Sequence, residues 1–526
     1  MKSMPIDLTS TGESIVVQQS HMHSHSGRPQ ETLEIPQTYA ELLRRFSDQE
    51  LQEIAQIKRV FEWVQGDPAF CQAVDTGQLP PAMRERLERI GIAFDLEHLA
   101  ILWKSPERVR QYVEACRTGS VEELPQAILD EVASYPLFEH WMRFISLKQA
   151  YEKRVRRQIL PVPQHPQFDA WRSRRIASVR SELGFYGYTI NHPILSFELS
   201  DGCSVGCWFC AFATRKLTQN LEYADAKDFF QRVAQSCVSL FGKAQAAQAM
   251  LYCGTEPHDN PGYLQFVKDY TAITGSPPFT STAVAHDPPW LREVIAFYRQ
   301  GPYAALRISV LSKAMLLKIH DLYSSDELRD VELLMQMKDH VRPKVASGRI
   351  LKEEEGLRAR QDGHYLDGGA VPQGSIECMS GFLINMVNRT MQVISPCYSS
   401  AKWPYGYRIF DETSFHDADD FPQAIDRLIT RSMPENPNAD MPMRFRDDLV
   451  YRPHADGFDL LSPNQVHHFR GKALYGHVGD CIAGNTLTYT ELCDHMLETA
   501  HFNLVTVIAL IKKLFDSGLL DEVYRP

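Results

Sequence analysis

The chain lacks any uninterrupted apolar stretch of membrane-spanning length, and its first residues carry no apolar run of the secretory kind. Neither a membrane partner nor export is expected. It also lacks a basic excess. Fifty-five Lys and Arg stand against 66 Asp and Glu, a net charge of −11, so no bulk field draws nucleic acid and none is expected as a partner. Regular cysteine pairing is missing too: the 11 cysteines suggest no disulfide framework, and a reducing, cytoplasmic location is expected. What is present is ordinary for a soluble globular protein, 44% hydrophobic and 23% charged. At 526 residues the chain exceeds one ordinary core, which predicts several domains.

The most informative segment is Cys203-Ser-Val-Gly-Cys207-Trp-Phe-Cys210. Three thiolates at this C-x3-C-x2-C spacing suit three irons of a cubane cluster and leave the fourth iron open to a small molecule. The run Pro193–Ser200 before it reads as a buried strand, so the cysteines occupy the loop that leaves it. Two plainer readings exist, a zinc site or buried apolar thiols. Zinc usually takes four ligands in structural sites, commonly as two close pairs, and free cysteines pack like small hydrophobes. Neither accounts for the next feature. After a helical stretch, Ala224–Phe241, comes an apolar strand, Ala249–Cys253, and then Gly254-Thr255-Glu256-Pro257.

Together these motifs resemble the radical S-adenosylmethionine (SAM) enzymes, with Phe209 as the aromatic residue before the last cysteine. The Gly-Thr-Glu-Pro segment looks like that family's Gly-Gly-Glu-Pro motif, with Thr255 in place of the second Gly. The resemblance implies one 4Fe-4S cluster on Cys203, Cys207 and Cys210, and SAM chelated at the open iron. It further implies SAM contacts from Phe209, Gly254, Thr255, Glu256 and Pro257. One-electron reduction by a flavodoxin- or ferredoxin-type donor would then yield a 5′-deoxyadenosyl radical.

The chain divides into five stretches. Residues 1–34 are polar and turn-rich and read as a disordered tail, with His21, His23 and His25 solvated. Residues 35–160 are helical in pattern, with Asp67 a candidate N-cap before Pro68. Part of this stretch, Phe61–Trp103, resembles the leader region of certain ribosomal peptide precursors; the alternative is a helical packing domain. Residues 161–380 alternate strand and helix, with strands expected at Ile194–Leu199, Ala249–Cys253, Phe279–Ala285, Ala304–Leu311, Val331–Met337 and Gly374–Cys378. Such alternation predicts an α/β fold with a parallel sheet, and the family resemblance implies a partial (β/α)6 barrel. Residues 381–460 read as a barrel extension with a hairpin, and 461–526 as a winged-helix-like module. That module lacks a basic recognition face. It suits a leader-peptide strand by β-augmentation, or a structural cap.

Two further groups of residues matter. Arg307 and Ser309 alternate along one strand and should share a face. An arginine inside a buried strand calls for a ligand or an ion pair, and polar residues on this strand often contact SAM in the family. Farther on, two apolar strands around Asn388-Arg389 read as a hairpin with Cys378 and Cys397 at its outer ends. The topology resembles the start of a SPASM extension, but only Cys378, Cys397, Cys481 and Cys493 follow the barrel, too few for an auxiliary cluster. Cys378 and Cys397 are inert core residues, or one of them is a hydrogen-atom donor. The arrangement looks like that of proteusin-type radical SAM peptide epimerases. There a ribosomal precursor peptide with a leader loses a Cα hydrogen from an L-residue, and a cysteine returns hydrogen to the opposite face. Cys397 is favoured for that role, with Cys378 close behind. The rivals are a radical SAM cross-linking enzyme or methyltransferase, and a non-catalytic iron–sulfur regulator.

Overall fold

The computed structural model describes residues 35–118, 120–158, 165–301, 305–337, 347–352, 375, 377–498 and 500–522. The expected tail over 1–34 with its histidines, Gly374 and Val523 lie outside the described residues. The fold is mixed α/β. In chain order the strands are β1 Leu195–Glu198, β2 Ser200–Asp201, β3 Gln219–Asn220, β4 Ala249–Met250, β5 Thr280–Thr282, β6 Leu306–Val310 and β7 Glu332–Met335. They continue as β8 Gly381–Asn385, β9 Thr390–Pro396, β10 Tyr407–Ser414, β11 Val450–His454, β12 Gly457–Leu461 and β13 Val466–Arg470. Among the described residues no helix is long and apolar enough to cross a membrane.

Two compact units form: Met1–Leu160 with Thr280–Pro343, and Pro161–Phe279 with Lys344–Pro526. In the first, the helix Asp48–Gly66 opens with a capping box between Ser47 and Glu50, and Asp67 caps the next helix through Ala69 N–H, as the sequence predicts. The strands β5, β6 and β7 pair in parallel. The long helix packs closely here: a Cβ on Gly66 would stand 2.3 Å from Leu316 Cδ2. Arg59, buried on the same helix, donates to the carbonyls of Ile90 (3.0 Å), His320 (3.4 Å) and Tyr323 (2.6 Å).

In the second unit the sheet runs β10-β9-β8-β1-β4, with β1 parallel to both β4 and β8. A parallel bridge from Met250 to Phe279 extends it. The strand expected at Gly374–Cys378 is absent from Ser375, Glu377 and Cys378. The reason is local. Ser375 Oγ accepts from the Glu377 N–H at 3.0 Å, and Glu377 Oε1 accepts from the N–H groups of Cys378 and Met379, both at 2.8 Å. Side chains thus take the donors a sheet ladder would need, and the strand forms three residues later as β8. The β8–β9 hairpin does turn at Asn388-Arg389, with Arg389 at φ +54°.

The C-terminal core gathers β11–β13 and the helices Ala473–Gly484, Tyr489–Glu498 and Leu504–Asp516. It reaches back to Met441 and Met443, ahead of the boundary read at 461. Gly518, at φ +65°, follows the last helix as the expected C′ residue.

Candidate active site

The cysteine loop leaves the carboxyl end of β1 through the short β2. Asp201 closes its base: its backbone carbonyl accepts from Thr218 N–H (2.8 Å), and its carboxylate takes Thr218 Oγ1 (2.8 Å) and Arg215. The Arg215 hydrogen bond leads the effects that hold the Asp201 carboxyl below its ordinary range. Gly202, at φ +93°, has no room for a side chain, since a Cβ would fall 2.3 Å from the Lys216 carbonyl oxygen. The Cys203 N–H donates to Arg215 O at 3.0 Å and the Cys210 N–H to Cys207 O at 3.2 Å. All three motif cysteines are half-buried.

The Gly254–Pro257 turn leaves the carboxyl end of the neighbouring parallel strand β4. The Glu256 side chain accepts from His258 N–H (3.1 Å) and so starts a short turn that carries Asp259. Asp259 then reaches the cysteine loop, where its Oδ2 accepts from the Ser204 N–H at 2.8 Å. Asn260 ties the same turn to the end of the first strand region by donating to Leu199 O (2.9 Å). Two sequence motifs about fifty residues apart are thereby latched together. Their charges interact as well. Burial, then the neighbouring Cys210 and Cys203, then Glu256, push the Cys207 thiol up to about 12; burial leads the rise at Cys203, with Glu256 and Asp259 adding to it.

The two outer cysteines have different surroundings. Cys378 is half-buried, and its Sγ lies 3.9 Å from Met250 Sδ. It packs in an apolar cluster with Phe212, Tyr405 and Tyr407, and Phe212 stands two residues beyond Cys210. Cys253 joins from the other side, its Sγ 3.7 Å from the same Met250 sulfur. Cys397 is fully buried, with its N–H on Gly406 O (3.0 Å). Next to it Tyr398 N–H donates to Glu182 (2.7 Å), which pairs with Arg408 at 2.6 Å. Cys397 thus sits against a buried ion-pair network.

Arg307 and Ser309 do share the half-exposed face of β6. Arg307 donates to Glu332 of β7 at 2.7 Å, the ion pair that a strand arginine calls for, and Ser309 Oγ is 3.5 Å from Ser281 Oγ. Both residues belong to the first compact unit, and the cysteine loop to the second.

Sequence reasoning missed Glu198, the last residue of β1. Its Oε2 accepts from Asn385 Nδ2 at 2.9 Å, and burial pushes its carboxyl up to about 7. Gly254 makes room for it, because a Cβ there would fall 2.1 Å from Glu198 Oε1. A signal existed: Glu198 is the single charged residue in the apolar run Pro193–Ser200.

Among the described residues no group of three or more His, Cys, Asp or Glu side chains stands ready to hold a metal ion. A cubane poses a different requirement, because each cysteine binds its own iron and the sulfurs need not converge on one point. The donor set suits it: three half-buried thiols on one short loop, with Cys210 and Cys203 close enough to raise the Cys207 pKa, beside the carboxylates of Glu256 and Asp259.

The chain is 33% identical over 489 residues to an uncharacterized protein, y4wI, of Sinorhizobium fredii, covering 92% of this chain and 90% of that protein. The chain belongs to the family of that protein. No family model matches it, and no solved structure does.

Proposed function

We propose that the protein is a radical SAM enzyme that converts L-residues to D-residues in a ribosomally made precursor peptide. One observation carries the reading: the cysteine loop and the Gly-Thr-Glu-Pro turn leave adjacent parallel strands at their carboxyl ends and are latched by the Ser204–Asp259 hydrogen bond. Active sites of parallel α/β folds gather at that end. Cys203, Cys207 and Cys210 would hold a 4Fe-4S cluster, and Gly254, Thr255, Glu256 and Pro257 would line the SAM side. When bound, these groups supply the one-electron chemistry that removes a hydrogen atom from the peptide.

The chain's own task is then to orient the peptide and return a hydrogen from the other face. Of the two outer cysteines, the surroundings favour Cys378 over Cys397. Cys378 is partly open and shares an apolar cluster with Phe212 of the motif loop, while Cys397 is enclosed beside Glu182 and Arg408. An electron from a flavodoxin- or ferredoxin-type donor and a proton from solvent restore the thiol after each transfer.

The test is co-expression with a proteusin-type precursor peptide in deuterated water, read by mass spectrometry and chiral amino-acid analysis. The reading expects D-residues and a gain of about one mass unit per site, because a thiol hydrogen exchanges with solvent. A loss of about two units would indicate cross-linking and a gain of about fourteen methylation, and either would overturn the epimerase assignment. Iron and sulfide analysis of anaerobically purified protein checks the cluster separately; stoichiometric zinc in place of iron would remove it.

A further inference from the structure

We propose that Glu198 is the counter-ion of the bound cationic ligand, the carboxylate that meets the positive charge of SAM above Gly254. The inference rests on the SAM assignment made above and extends it to a residue outside both motifs. Glu198 ends β1 at its carboxyl end, five positions before Cys203. Its carboxyl lies so close over Gly254 that any side chain there would collide with Oε1 at 2.1 Å. Asn385 occupies only Oε2, while Oε1 has no hydrogen bond among the described residues.

A purely structural role would leave the charge answered by the protein. Among the described residues no Lys, Arg or His pairs with Glu198. The groups that face it are Asn385 from β8, Asp201 from β2, Cys253 beyond β4 and Tyr407 from β10. None of these is a cation, and a half-buried carboxylate without one is unfavourable. SAM carries positive charge on both its ammonium and its sulfonium, and would supply what is missing. The raised carboxyl then acquires a consequence. A cation at Oε1 draws its pKa back down, so binding near pH 7 expels a proton.

The test is calorimetric titration of SAM into the anaerobically reconstituted holoprotein, in two buffers of different protonation enthalpy. Wild type is expected to release a fraction of a proton per SAM near pH 7, with affinity that climbs as pH rises toward about 7 and then levels. Glu198→Gln keeps the Asn385 hydrogen bond; it should release no proton, bind SAM about tenfold or more weakly at pH 8, and show no pH slope. Gly254→Ala, which displaces the same carboxyl, should weaken binding in the same direction. Thermal melting verifies that both variants fold. Two results would overturn the inference while leaving the SAM assignment intact: wild type binding SAM without proton release, or Glu198→Gln matching wild type across the pH series. A holoprotein that contains its iron but binds no SAM would overturn both.

Discussion

Glu377 has a carboxyl whose Oε1 is fixed by two backbone N–H groups, yet burial still pushes it up to about 7. Its folded pKa therefore exceeds the unfolded value, so its contribution to stability is full below the unfolded pKa and is lost as pH rises through about 7. Glu377→Gln is expected to resist urea better than wild type at pH 8, by about 1–3 kcal/mol, with the advantage gone near pH 4.5. Equal urea midpoints for the two proteins at pH 8 would refute this. The neighbouring thiol gives a functional prediction. Cys378→Ala should still cleave SAM to 5′-deoxyadenosine but yield no D-residues, while Cys397→Ala should retain inversion; chiral analysis of the peptide decides. The cysteine loop and the Gly-Thr-Glu-Pro turn were legible because each is a contiguous string whose spacing is its chemistry. Glu198 was not, because its meaning depends on Gly254, which lies far along the chain and meets it only when β1 and β4 pair.

The helix Pro166–Leu183 shows how whole elements are secured. Its Arg174 and Arg175, both almost fully buried, pair with Glu522 near the chain end, and Arg174 also donates to Pro434 O at 2.8 Å. Buried pairs of this kind specify geometry more than they stabilise, but removing one partner strands the other charge. Glu522→Ala leaves two enclosed guanidinium groups and should cost about 3–5 kcal/mol in chemical denaturation. The same helix sends Arg172 to the carbonyl of His192, whose imidazole burial pushes down to about 3. That shift makes the fold less stable as pH falls below about 6.5, because the unfolded chain then takes up a proton the folded one refuses. Element legibility followed burial. The strands β1, β4, β6 and β7 are announced by apolar residues, and the helices between them by period and caps. By contrast β11 carries Arg452 and Pro453 and is exposed along most of its length, so no periodicity marked it. The misplaced sixth strand was expected from the alternation of strand and helix, which says nothing of Ser375 and Glu377 capturing backbone donors.

At the scale of the molecule, the N-terminal helices and the segment Thr280–Pro343 form one unit although 119 residues separate them in sequence. Glu62 and His320 meet at 3.1 Å inside it, with Lys58 beside Glu62. Deleting residues 1–160 should therefore expose the segment 280–343 to limited proteolysis at sites that the full chain protects. An identical cleavage pattern there would show that the segment does not depend on the N-terminal helices. Contact order has a comparable effect on the sheet of the other unit. The strand β1 ends at Glu198, but its parallel neighbour β8 ends only at Asn385. At about 5–20 residues per second, the ribosome needs on the order of 10–40 s to make the roughly 190 residues between them. During that interval the nascent chain has released all three motif thiols while one flank of their sheet does not yet exist. For the cluster proposed above, the supply of iron and the exclusion of oxygen during translation would then bear on how many chains mature.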